Sequence, residues 1–144
     1  MRKKLFAGAV LYCAMQFTLL SFDSEPVRLI VRADDMGSSR ASNIACLKTS
    51  REGIATSIEV MAVGPWFPET VRLLRENPEI AVGLHLTLTS EWDLIKWRPL
   101  TSCPSLVDEN GYFFPQIRKN PNYPGQSISE HKWNLAEIEQ EFRA

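Results

Sequence analysis

Cysteine is scarce and the charge is nearly balanced, and each of these excludes something. The chain holds 3 cysteines in 144 residues and no CxxC pair, so a thiolate metal framework of the zinc-ribbon kind is ruled out. Formal net charge is -1, which leaves no electrostatic footprint for nucleic acid or for an anionic membrane surface. Internal repeats and low-complexity tracts are missing too. With 44% hydrophobic and 23% charged residues, nothing argues for disorder. Length is also short, since a complete eight-fold barrel takes about 250 residues.

What is present starts with a separate unit. Arg2, Lys3 and Lys4 precede an apolar run from Leu5 to about Phe22. This is the layout of a secretory signal peptide over residues 1–24, which would export the protein to the periplasm or beyond the cell. The run approaches bilayer length, so a membrane anchor is the second reading. Residues 25–144 then form one domain. Cys46 falls in an apolar helical stretch and reads as a small buried hydrophobe. Cys103 falls in a proline-flanked loop. Export permits a disulfide, but two distant positions do not specify one.

The domain reads as strand, helix, strand, helix, strand. Arg28–Ala33 (RLIVRA) is short, apolar and β-branched, and stops at Asp34-Asp35-Met36-Gly37. Ser38, Ser39 or Ser42 can cap a helix carrying Ile44, Leu47 and Lys48, with Gly53 as its stop. Ala55–Val63 is a second strand, closed by Gly64-Pro65. A helix with Phe67, Val71 and Leu74 on one face follows and ends at Asn77-Pro78; Trp66 and Phe67 read as core. Ile80–Thr89 is the third strand. This order predicts an α/β fold with a parallel sheet. Thr101–Ser127 is long, irregular and proline-rich, with Asp108–Gly111 as a turn; such a stretch in a compact domain is functional or covers something. Asn134 to Glu137 matches a capping box, opening a helix with Leu135, Ile138 and Phe142 on one face.

Two adjacent carboxylates at the carboxyl end of a buried strand repel one another unless a cation or proton is present. Asp34 and Asp35 therefore suit a divalent metal, one as ligand and the other free for proton transfer; a helix-capping turn is the bland alternative. In the third strand, Leu84, Leu86 and Leu88 alternate with His85, Thr87 and Thr89. Beneath covering helices the leucines would pack, leaving His85 and the threonines on an interior face. The second strand repeats this, with Ile58, Val60 and Ala62 against Ser57, Glu59 and Met61. An antiparallel sheet with its polar face in water, and a purely structural His85, are the alternatives. A receiver or phosphatase-type domain would want an aspartate where the third strand carries His85.

In order and in combination, RLIVRADDMGSS, REGIATSIEVMAVGPWFPE and NPEIAVGLHLTLTSEW resemble the YdjC-like (ChbG/HpnK) carbohydrate deacetylases. The likeness runs from about Leu29 to about Asp108. It implies a distorted (β/α) barrel of the polysaccharide-deacetylase type, and a divalent cation, Zn²⁺ or Mg²⁺, on Asp35 and His85. It further implies Asp34 as the base that activates water for attack on an N-acetylated amino sugar or oligosaccharide. Glu59, Trp92, Trp97 and Arg98 are substrate-binding candidates, because aromatic faces stack on sugars and guanidinium binds hydroxyls or carboxylates. A homodimer is left open. The family's further metal histidine follows the helix that begins at Asn134, and His131, before that helix, reads as a solvated loop residue. The expectation is of the front portion of such a domain, with a non-catalytic sugar-binding relative as the alternative.

Overall fold

The computed structural model describes residues 26–144. The export signal or anchor expected over residues 1–24 lies outside them. Among the described residues no helix is long and apolar enough to cross a membrane.

Three parallel strands form one sheet in sequence order: β1 Arg32–Met36, β2 Ser57–Val60 and β3 Val82–Leu84. The parallel pairing removes the antiparallel alternative. The barrel implied by the resemblance is not closed by these residues, which make an open sheet. Helix α1, Arg40–Glu52, links β1 to β2, and helix α2, Phe67–Arg75, links β2 to β3. Of the three serines that could cap α1, Ser39 does so, accepting a hydrogen bond from the Ser42 amide at 3.1 Å. Gly53 ends the helix, as its position suggested.

Each sheet face carries its own core. Met36, Ile58 and Val60 pack against Cys46 and Leu47 of α1 and Leu73 of α2. Ile58 and Met36 are fully buried, each contributing about 1.5–3 kcal/mol of transfer free energy. On the other face Met61 joins Trp97, Leu106, Phe113, Phe114 and Ile128. Most of that second core comes from the proline-rich stretch. Two short 3₁₀ turns, Pro104–Leu106 and Ile128–Glu130, and an Asp108 side-chain turn organise it; the Asp108 carboxylate accepts from the Asn110 and Tyr112 amides. The stretch therefore covers the sheet face opposite the helices.

Several expectations need correction. The first strand starts four residues late, and Leu29 and Ile30 are exposed because nothing packs on them. On α1 it is Asn43, Cys46 and Leu47 that are buried, while Ile44 turns outward. Trp66 is exposed at the N-cap of α2, and Phe67 packs on the core as expected. Leu84 and Leu86 are exposed rather than under a helix, and Leu88 packs on the opposite core. Cys46 and Cys103 are free thiols buried in separate clusters.

Helix α3, Leu135–Arg143, opens with a modified cap. Asn134 accepts from Ala136, but Glu137 does not return to Asn134. It accepts instead from the amide and hydroxyl of Ser105, and that hydroxyl accepts from the Asn134 amide. One turn later, buried Glu141 accepts from the Leu100 and Thr101 amides and the Thr101 hydroxyl. Two glutamates thus dock α3. Only Ile138 of its expected apolar face reaches the core, while Leu135 and Phe142 stay exposed.

Candidate metal centre

The ladder between β1 and β2 slips at the aspartate pair. Ala33 pairs with Ile58 and Met36 with Val60, so both Asp34 and Asp35 stand opposite Glu59. This is a β-bulge: one extra residue in β1 opposes one on its partner. Regular alternation would send one aspartate toward the helices. The bulge instead sets both aspartates opposite Glu59, which the β2–β3 register pairs with Gly83, and His85 follows directly after β3 to meet Asp35 there. The extra residue is accommodated by Asp35, at φ 67°, a left-handed conformation that costs a non-glycine residue about 1–2 kcal/mol.

Its surroundings hold that conformation in place. The Asp35 carbonyl accepts from the Ser38 amide and from the hydroxyls of Ser38 and Ser42, each hydroxyl at 2.7 Å. The Gly37 amide donates to the buried Asn43 carboxamide at 2.8 Å. Asn43 in turn accepts from the Thr70 hydroxyl and donates to the Trp66 carbonyl and Glu69. One side chain therefore ties the aspartate turn to the entry of α2. Gly37, at φ 109°, passes so close to Met61 that a Cβ would lie 2.7 Å from its carbonyl oxygen.

Asp35 Oδ1 lies 3.2 Å from His85 Nδ1. That is close enough for an ion pair, yet Nδ1 is buried and makes no hydrogen bond among the described residues. An orphaned ring nitrogen beside a carboxylate oxygen fits shared coordination. Two donors each about 2.1 Å from one ion and about 100° apart stand about 3.2 Å from each other. The imidazole–carboxylate pair also suits Zn²⁺ chemically, and the carboxylate suits Mg²⁺. Among the described residues no third such side chain joins the pair. Asp34 lies on the same face beside Arg32, at 3.7 Å, with both side chains well exposed, so this pairing contributes little.

A cleft of about 150 Å³ opens at the pair, lined by Asp35, Met61, His85, Thr87, Glu91 and Ile117 among others. The other candidates fall at varying distances from it. Glu59 is buried with its carboxylate packed against Gly83, accepting from the Ser57 hydroxyl; a Cβ at Gly83 would overlap it. Trp97 borders the cleft but is a core residue, with Nε1 bonded to the Thr89 carbonyl and its indole edge-on to Trp92. Arg98 does not face the cleft. It stacks over Tyr112 at 4.6 Å and donates to the Asn110 carbonyl. Trp92 stays partly exposed. His131, exposed as expected, stacks on Phe114.

Sequence reasoning missed Glu91 and Ile117. Glu91 was within reach, since it continues the alternation of His85, Thr87 and Thr89. Ile117 was not, because it arrives from the irregular stretch through contacts distant in sequence.

Comparison with known proteins places this geometry. The model of the family described as YdjC-like protein matches residues 28–144. A protein named carbohydrate deacetylase 2 from Listeria innocua is 34% identical over 118 residues, covering 82% of this chain and 42% of the relative. A carbohydrate deacetylase from Enterococcus faecalis is 36% identical over 121 residues, covering 81% and 41%. A crystal structure of a candidate cellobiose-phosphate cleavage protein, also from Enterococcus faecalis, superposes with a TM-score of 0.63 at 31% identity, covering 79% of this chain and 40% of that one. The chain thus resembles carbohydrate deacetylases and spans well under half the length of these relatives. With a family match over nearly all described residues, the chain belongs to the YdjC-like family.

Proposed function

We propose that this chain is the part of a carbohydrate deacetylase that carries its catalytic base and two of its metal ligands, within a larger (β/α) barrel. The reaction is removal of acetyl groups from N-acetylated amino sugars or oligosaccharides. The observation that carries this reading is the unbonded His85 Nδ1 set 3.2 Å from Asp35 Oδ1, beside a second aspartate on the same face.

Asp35 and His85 would hold a divalent cation, Zn²⁺ or Mg²⁺, with remaining positions filled by water or by groups beyond the described residues. Such a cation supplies Lewis acidity toward the acetyl carbonyl and lowers the pKa of water. Asp34 accepts a proton from the attacking water as its oxygen bonds to the carbonyl carbon. The carbon–nitrogen bond then breaks, and the amine leaves with the proton that Asp34 returns. Acetate and a free amino sugar are the products. The bulge serves this division of labour by presenting two neighbouring carboxylates, one for the cation and one for the proton.

The test is acetate release by the full-length protein from N-acetylated glucosamine oligomers, with and without a chelator. Activity should vanish on chelation and return with metal. Asp34→Asn should reduce turnover by at least about a hundredfold while metal content stays unchanged. Full activity in Asp34→Asn would remove Asp34 as the base.

A further inference from the structure

Resting on the reading of Asp35 and His85 as metal ligands, we propose that Glu59 is a positioning residue. Its carboxylate is a spacer against Gly83 that sets where β3 lies, and so where His85 meets Asp35. β2 is the central strand of the sheet, and Glu59 stands between the two strands that lead to the ligands. On one side it opposes the bulged Asp34 and Asp35, and on the other it pairs with Gly83. The residues after it bond the ends of both neighbouring strands. The Val60 carbonyl accepts from the His85 amide at 2.9 Å, and the Met61 amide donates to the Met36 carbonyl at 2.8 Å.

The Glu59 side chain lies across Gly83. A Cβ built at Gly83 would overlap the carboxylate, and a glycine within a strand commonly marks so close an approach. The carboxylate is not free to swing aside. Glu59 is 8% exposed, and its Oε1 accepts from the hydroxyl of Ser57, two residues earlier on the same strand, at 2.5 Å. In a contact packed this closely, volume added or removed is passed on to the neighbouring strand. His85 follows Gly83 by two residues, and its Nδ1 stands 3.2 Å from Asp35 Oδ1. Ligands must be held within about 0.5 Å of their working geometry, so a small displacement of β3 is enough to spoil the pair. Glu59 touches Ser57 and Gly83 and acts on the cation through His85. The contact depends on the shape of its side chain, whose planar end fills the space that Gly83 leaves.

A double-mutant cycle in the full-length protein tests this, with affinity for Zn²⁺ and Mg²⁺ read by calorimetry and the His85 ring resonances read by NMR without metal. Glu59→Ala leaves a gap over Gly83, and Gly83→Ala drives a methyl against the carboxylate. Each should lower metal affinity about tenfold and shift the His85 signals. Combined, the two changes are complementary, because the added methyl enters the vacated space. The double variant should bind within about threefold of the natural protein and recover its His85 signals, where independent effects would multiply to about a hundredfold loss. Glu59→Gln, which keeps the shape and the bond from Ser57, should stay within about twofold. Multiplied losses in the double variant, its failure to fold, or a Glu59→Gln variant as weak as Glu59→Ala would each overturn the proposal. So would unchanged affinity and unchanged His85 signals in Glu59→Ala. If the natural protein binds neither cation, the metal reading falls by itself and the His85 signals decide. Their shift in both single variants and recovery in the double supports the spacer, and any other pattern removes it.

Discussion

Asp35 and His85 meet at 3.2 Å although β2 lies between the strands that carry them. Strands run about 4.8 Å apart, so the two backbones are separated by about 10 Å and their side chains must close that gap from both sides. Either substitution should break the pair. In the full-length protein, Asp35→Asn and His85→Gln should each lower affinity for Zn²⁺ or Mg²⁺ by at least about tenfold in calorimetry. Unchanged affinity in both variants would take the pair out of metal binding.

Asp35 also carries backbone strain, at φ 67°. Asp35→Gly removes the side chain that disfavours this conformation and relieves repulsion from Asp34. Thermal unfolding should show a gain of about 0.5–1 kcal/mol, alongside loss of metal affinity. Asp35→Val, with a β-branched side chain at the same φ, should lose about 1–3 kcal/mol. If the glycine variant is the less stable of the two, the strain argument fails.

Behind the pair, Gly64 packs on the Gly37 carbonyl, and a Cβ there would overlap it. The obstacle is backbone, so Gly64→Ala should cost about 2–3 kcal/mol in urea denaturation. Asn43→Leu, which leaves the Gly37 amide and the Thr70 hydroxyl without their partner, should cost about as much. Both variants should also weaken metal binding, because the turn they disturb sets the Asp35 backbone.

Burial, reinforced by the nearby Glu141 carboxylate, pushes the Cys103 thiol up from 9.0 to about 11. Above pH 9 the unfolded chain releases this proton while the folded chain retains it. The resulting stability is fully present below pH 9 and is lost as pH rises toward 11. Unfolding free energy should fall more steeply across that range in the natural protein than in Cys103→Ala. The same burial should make Cys103 slow to alkylate at neutral pH. Equal slopes in the two proteins would contradict the assignment.

The order of elements was legible because hydrophobic runs and glycine or proline stops are local signals. The Ser39 cap and the Gly53 stop were read for the same reason. Alternation, read together with the aspartate pair, pointed His85 toward an interior face, and its Nδ1 lies 3.2 Å from Asp35 Oδ1. Alternation could not reveal the bulge, since an extra residue shifts its phase without leaving any trace in composition. Nor could it show that Leu84 and Leu86 lie at an uncovered edge, because a leucine in a strand reads the same whether or not something packs on it. Trp97 and Arg98 could not be placed from sequence for a related reason. Their fates are decided by Thr89, Asn110 and Tyr112, and by a core assembled from residues far along the chain.

The bulge has an implication for how such a sequence can change. Deleting either aspartate would leave one residue opposite Glu59, restore the ladder and remove the left-handed residue. Selection for folding alone would favour that one-codon loss. A lineage that keeps both aspartates is therefore maintaining a local irregularity against a drift toward a simpler sheet, and deletion variants at this site would separate what folding requires from what chemistry requires.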